Sequence, residues 1–133
     1  MNSTEHNQII HRLVLDNGIT LIAVENQAAD LIAGRIFLKN AGARWEQRSK
    51  AGLSHLLATV LSKGTERLSS AEIAEAVESI GAGLGADAAA DYFLISLKTV
   101  SRDFGKILKL AGEILRSPIF PEAEVELEKH LTL

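Results

Sequence analysis

His55 and Thr59 lie four residues apart within the stretch Ala51-Gly-Leu-Ser-His-Leu-Leu-Ala-Thr-Val-Leu-Ser-Lys-Gly-Thr65. On a helix that spacing brings two side chains to one face, the geometry of a metal-binding pair. An imidazole binds zinc well, whereas a threonine hydroxyl is a poor substitute, and a catalytic zinc takes three protein ligands. The pair therefore offers one good donor, and His55 reads as a lone, partly buried histidine. Ser54 and His55 are neighbours, so on a helix their side chains diverge by about 100° and cannot act as nucleophile and base. Lys63-Gly64-Thr65 lacks the preceding glycine-rich run of a phosphate loop. His6, His11 and His130 are scattered and read as surface or strand residues.

The element that must carry His55 is legible. Leu53, Leu56, Leu57, Val60 and Leu61 recur at helical spacing and predict an amphipathic helix with one apolar stripe. His55 and Thr59 fall off that stripe. Gly64 follows the last periodic residue, where a left-handed C-cap costs little, and Lys63 stands in the last turn beside the negative end of the helix dipole.

Gly52-Leu-Ser-His-Leu-Leu-Ala-Thr59 with Lys63-Gly64-Thr65 resembles the zinc helix of the inverzincins, the family of pitrilysin, insulinase and the mitochondrial processing peptidases. Their motif is H-x-x-E-H, in which two histidines bind zinc and the glutamate activates its water. The resemblance puts His55 at the first histidine, Ala58 at the glutamate and Thr59 at the second histidine. It thus implies a site with no catalytic residue, since alanine cannot take a proton from water. No cofactor is expected on that reading; zinc belongs to an alternative in which the ligand set is unusual.

Bulk properties bound the remaining possibilities. The 133 residues make one domain or part of one, with 47% apolar residues and a formal charge of −3. Mixed charge without a lysine and arginine cluster argues against nucleic acid as a partner. No cysteine means no disulfide framework, thiolate site or cysteine nucleophile. Residues 1–8 read as a disordered or extended polar tail without a signal-peptide core, and no run approaches a membrane span. The expectation is a soluble, cytoplasmic chain with no membrane partner.

Along the chain, β-branched runs at 9–15 and 19–24 flank Asp16-Asn17-Gly18, a hairpin signal resting on two residues that tolerate positive φ. Residues 31–38 are mostly apolar and predict a third, central strand. Ala41-Gly-Ala-Arg-Trp-Glu46 predicts a loop resembling the family's Ala-Gly-Ser-Arg-Asp-Glu-type segment, with Trp45 as a packing anchor. Ser69 and Glu72 form a capping box ahead of Ile73, Val77 and Ile80, and Gly81 ends that helix. Gly81-Ala-Gly-Leu-Gly85 follows a helix and opens a strand, the reverse of a dinucleotide loop, and predicts an edge strand that another backbone can approach. Residues 92–100 predict a strong strand. Ser101 then caps a helix carrying Phe104, Ile107, Leu108, Ala111, Ile114 and Leu115, ended by Pro118. Pro121, Glu122 and Glu124 open a last helix.

The resemblance runs collinearly from about Leu15 to the end and implies an α+β domain: an antiparallel-dominated sheet of four or five strands with helices on one face. Residues 9–133 would be the N-terminal portion of such a peptidase domain, cut short at its C-terminus, with the third zinc-ligand position at or beyond Leu133. The family's substrate-pairing strand falls on Gly83, Leu84, Gly85, Ala86, Asp87 and Ala88, with Gly85 replacing the usual asparagine. The resemblance implies a non-catalytic subunit that forms a heterodimer with a catalytic relative bearing an intact H-x-x-E-H and holds extended peptides. The alternatives are an active zinc endopeptidase with unusual ligands and a purely structural assembly subunit.

Overall fold

The computed structural model describes residues 9–132; the expected tail at 1–8 lies outside them. The chain divides into two compact units, residues 1–30 and 31–133.

In the first unit, β1 (Ile9–Val14) pairs antiparallel with β2 (Thr20–Glu25), with Val14 opposite Thr20. The turn differs from the expected pair of positive-φ residues. Gly18 has φ +86, Asn17 is not in that region, and the Leu15 amide donates to the Ile19 carbonyl at 2.8 Å. A three-residue loop needs one left-handed position after its turn, which glycine fills. Asn17 instead uses its side chain: Oδ1 accepts from the Ile19 amide at 3.1 Å.

In the second unit, β3 (Ile32–Lys39), β4 (Gly83–Ala88) and β5 (Tyr92–Thr99) form an antiparallel sheet in the order β3-β5-β4. The central strand is β5. The expectation for β3 is corrected: it lies at the sheet's edge among the described residues, and its apolar content hid an alternation, with Arg35, Phe37 and Lys39 exposed. Burial alternates along β5, where Phe93, Ile95, Leu97 and Thr99 are buried. Gly34 faces Leu97 across the pair, and a β-carbon there would crowd that leucine.

Four helices complete the described part: α1 (Leu53–Val60), α2 (Ser70–Glu78), α3 (Phe104–Arg116) and α4 (Glu122–Thr132). Helices α1 and α2 pack on β4 and α3 packs on β5, so one sheet face is covered. The core joins Leu61, Ile73, Phe93, Ile95, Leu97, Ile107, Leu110, Ala111 and Ile114. The α+β class and the antiparallel strands with helices on one face are as expected, but among the described residues the strands form a two-stranded and a three-stranded sheet, not one sheet of four or five.

Local signals explain most helix ends. Ser69 accepts from the Glu72 amide while Glu72 accepts from the Ser69 amide, the reciprocal cap read from the sequence. Gly81, at φ +62, closes α2: its amide donates to the Glu78 carbonyl and that of Ala82 to the Val77 carbonyl, a Schellman pattern. Two expectations fail. Helix α1 stops at Val60, and Gly64, at φ +156, makes an antiparallel bridge with Ser69 instead of a left-handed cap. Ser101 opens a short 3-10 turn (Ser101–Asp103), so α3 begins at Phe104 with Asp103 in the cap position. On α3 Leu108 is exposed, and Leu110 is the buried residue that the periodic set passed over.

Candidate functional site

The residues singled out in the sequence sit on two neighbouring elements, because α1 packs against β4. His55 is exposed, not partly buried as expected. Thr59 is half-buried, and its Oγ1 donates to the Leu56 carbonyl at 2.8 Å. Ala58 is half-buried against the core. The apolar stripe is shifted as well: Leu53 is 51% exposed, Val60 and Leu61 are buried, and the polar Ser54 is 8% exposed. A stripe read from periodicity assumes burial along the whole helix, whereas only the C-terminal half of α1 reaches the core.

These residues do not fit a catalytic zinc. His55 supplies one imidazole, Thr59 spends its hydroxyl proton on its own helix, and Ala58 has no donor or base.

What holds α1 in place was not read from the sequence. The N-cap of α1 is Gly52, at φ +90, which has no side chain to cap the first turn. Glu46 does so from outside the helix. Its Oε2 accepts from the Gly52 amide at 2.8 Å and its Oε1 from the Ser54 amide at 2.6 Å. The Ser54 hydroxyl, then the Ser54 and Gly52 amides, hold the Glu46 carboxyl below its ordinary range. A carboxylate also suits the positive end of the helix dipole. The available signal was a helix opening on glycine with an acid a few residues upstream.

The loop carrying Glu46 is itself pinned to the β4–β5 turn. The amides of Ala43 and Arg44 donate to the Ala89 and Ala90 carbonyls at 3.0 and 2.9 Å. Arg44 Nη1 reaches Asp91 Oδ1 at 2.9 Å. Gly42 is buried, and a β-carbon there would strike the Ala89 and Ala90 backbone. Trp45, the expected packing anchor, is 59% exposed. The 3-10 turn at Ala43–Trp45 spends its contacts through backbone and arginine and leaves the indole outside.

The exit of α1 is held from the other side. Lys63 Nζ lies 3.6 Å from Glu124 Oε2 and 3.7 Å from Glu128 Oε1, joining it to successive turns of α4. The buried Thr65 donates to Glu113 Oε1 at 2.8 Å and accepts from the Leu68 amide at 3.0 Å. So polar contacts from other elements hold α1 at its entry and the segment that follows it at its exit.

Strand β4 is the other half. Among the described residues it is hydrogen-bonded to β5 alone, with Ala86 opposite Ile95, and so lies at the sheet's edge as expected. Leu84, Ala86 and Ala88 face the core half-buried, whereas Gly83, Gly85 and Asp87 are exposed.

The sequence profile described as Insulinase (Peptidase family M16) matches residues 21–133, most of the chain. The chain belongs to this family. It is 28% identical over 119 residues to the mouse mitochondrial-processing peptidase subunit beta, covering 90% of this chain and 24% of that protein. It is 27% identical over 120 residues to mouse cytochrome b-c1 complex subunit 1, covering 90% of this chain and 25% of that one. Among solved structures, a protease from Helicobacter pylori superposes with TM-score 0.81 at 25% identity, over 93% of this chain and 30% of the other. A peptidase M16 inactive domain from Pseudomonas fluorescens shares the fold, with TM-score 0.84 at 23% identity over 94% of this chain and 30% of that one. The chain spans about a quarter of the length of the curated relatives named here.

Proposed function

We propose that the intact protein is a non-catalytic M16 subunit that associates with a catalytic relative bearing a complete H-x-x-E-H helix, and that it holds extended peptides along β4. The observation that carries this reading is Ala58 at the base position, its methyl against the core, beside a Thr59 whose hydroxyl is committed to the Leu56 carbonyl. A hydrolase without base and second imidazole has lost both functions of its zinc helix. Yet the surrounding frame keeps its contacts, from Glu46 at the entry of α1 to Lys63 and Thr65 at its exit. Two of the relatives are named as subunits, one of a mitochondrial-processing peptidase and one of a cytochrome b-c1 complex, which supports a role in an assembly.

Peptide binding would use main-chain hydrogen bonds at the edge of Gly83, Leu84, Gly85, Ala86, Asp87 and Ala88, unpaired among the described residues, which needs no metal. Exposed glycines at positions 83 and 85 leave room for an approaching backbone.

Co-expression of the full-length protein with such a relative tests the assembly. Co-elution, with peptidase activity of the relative that depends on this subunit, is expected. Separate elution with unchanged activity overturns it. Metal analysis after dialysis against zinc tests the loss of catalysis: substoichiometric zinc is expected, and one tightly held zinc per chain that disappears in His55→Ala refutes the reading.

A further inference from the structure

The direction of each main-chain amide along β4 follows from two hydrogen bonds just outside the strands. The Ala89 amide donates to the Tyr92 carbonyl at 2.9 Å, and the Asn40 amide to the Asp91 carbonyl at 3.1 Å. Antiparallel partners alternate between hydrogen-bonded and non-hydrogen-bonded pairs. Carried back through the register, both bonds give one phase: Gly83, Gly85 and Asp87 turn their amides to Lys98, Ser96 and Leu94 of β5. Leu84, Ala86 and Ala88 turn theirs outward from the sheet. Both ends of that outward row are taken. At the turn end, the Ala88 amide donates to Asp87 Oδ1 at 2.8 Å. Beyond it, the Ala89 and Ala90 carbonyls accept from the Ala43 and Arg44 amides. At the other end, the Ala82 amide donates to the Val77 carbonyl at 3.0 Å, in the cap that closes α2. Between them, Leu84 and Ala86 have no strand beside them among the described residues.

We propose that the peptide site on β4 is two amides long, those of Leu84 and Ala86, and that Asp87 ends it by closing the Ala88 amide to an added strand. The proposal rests on the reading that β4 takes an extended peptide, and it names the class: a short segment gripped by its main chain at two alternate residues. A peptide carbonyl advancing past Ala86 meets the Asp87 carboxylate where a donor would otherwise stand. Two acceptors face to face repel, so the ladder cannot run on towards the β4–β5 turn. In the other direction the cap of α2 holds the next amide, so extension there gains no bond. Asp87 therefore acts on the length of the ladder and on affinity, not on whether a peptide binds. Closing part of an edge with a charged side chain is also how strands avoid unlimited pairing.

Residue-resolved hydrogen–deuterium exchange on the full-length protein tests this, with and without a saturating peptide of alternating serine and valine, amidated at its C-terminus. Without peptide, the Ala88 amide should exchange faster in Asp87→Ala than in the unaltered protein. With peptide, exchange should slow at Leu84 and Ala86 in both proteins, and at Ala88 only in Asp87→Ala. Fluorescence anisotropy with the fluorescein-labelled peptide should show about fivefold tighter binding to Asp87→Ala, the effect of one added hydrogen bond. Asp87→Asn keeps a side-chain oxygen that accepts and removes the charge, so it should return both readouts to those of the unaltered protein. Circular dichroism checks that each variant folds. Unchanged Ala88 exchange in Asp87→Ala, peptide-induced slowing at Ala88 in the unaltered protein, or equally tightened binding in Asp87→Asn overturns the role of Asp87 and leaves peptide binding at β4 standing. No peptide-induced slowing at Leu84 and Ala86 in any of the three proteins overturns the peptide reading itself, and the proposal with it.

Discussion

Glu46 shows how one carboxylate can stand in for a missing cap. Its hydrogen bonds favour the charged form, so its folded pKa lies below the ordinary 4.5. A depressed folded pKa means the stabilisation is complete above the ordinary value and is lost as pH falls through the lowered one. Glu46→Gln should therefore lower the urea midpoint at neutral pH, and the two proteins should converge well below 4.5. A constant gap at all pH values would show that the charge contributes nothing. Thr99 is the opposite case. It is 2% exposed, and its Oγ1 has no hydrogen-bond partner among the described residues. Thr99→Val keeps the shape and removes the buried hydroxyl, so it should raise stability by about 1 kcal/mol in urea unfolding.

At the scale of elements, glycines separate two kinds of constraint. Gly112 on α3 has open space around its would-be β-carbon, so its flexibility is a cost without a packing reason. Gly112→Ala should stabilise by about 0.8–1 kcal/mol, the ordinary helix-propensity difference. Gly42 lies against the Ala89 and Ala90 carbonyls, where backbone cannot yield as a flexible side chain can. Gly42→Ala should push the loop off the β4–β5 turn and carry Glu46 away from α1. Thermal unfolding of the two variants should move in opposite directions. In α2, Ser69→Ala should cost about 1 kcal/mol, since it removes half of a reciprocal cap.

For the molecule as a whole, the test is whether the frame around α1 can host a complete H-x-x-E-H motif. Ala58→Glu with Thr59→His restores the motif's residue types, but both positions are half-buried, and Ala58 touches the core. The double variant of the full-length protein should gain zinc affinity by titration calorimetry, lose some thermal stability, and recover little peptidase activity. Zinc affinity no higher than in the unaltered protein would show that His55 is not oriented as a ligand. The helix is braced at both ends, by Glu46 at its entry and by Lys63 against Glu124 and Glu128 at its exit. That bracing is why a local change on α1 should be absorbed without loss of the fold.

Much of this protein is written locally in its sequence. The capping box at Ser69 and Glu72, the stop at Gly81, the edge strand from Gly83 and the core positions Ile107, Ala111 and Ile114 follow from side-chain chemistry within a few residues. That Ala58 and Thr59 offer neither a base nor an imidazole is visible there too, since it depends only on residue type. Tertiary structure decided what depends on distant partners. Whether Leu53 is covered, whether β3 is central, whether Trp45 packs and which acid caps α1 are set by elements far along the chain. Periodicity says which residues share a face of a helix or strand; only the assembled sheet says whether anything lies against that face.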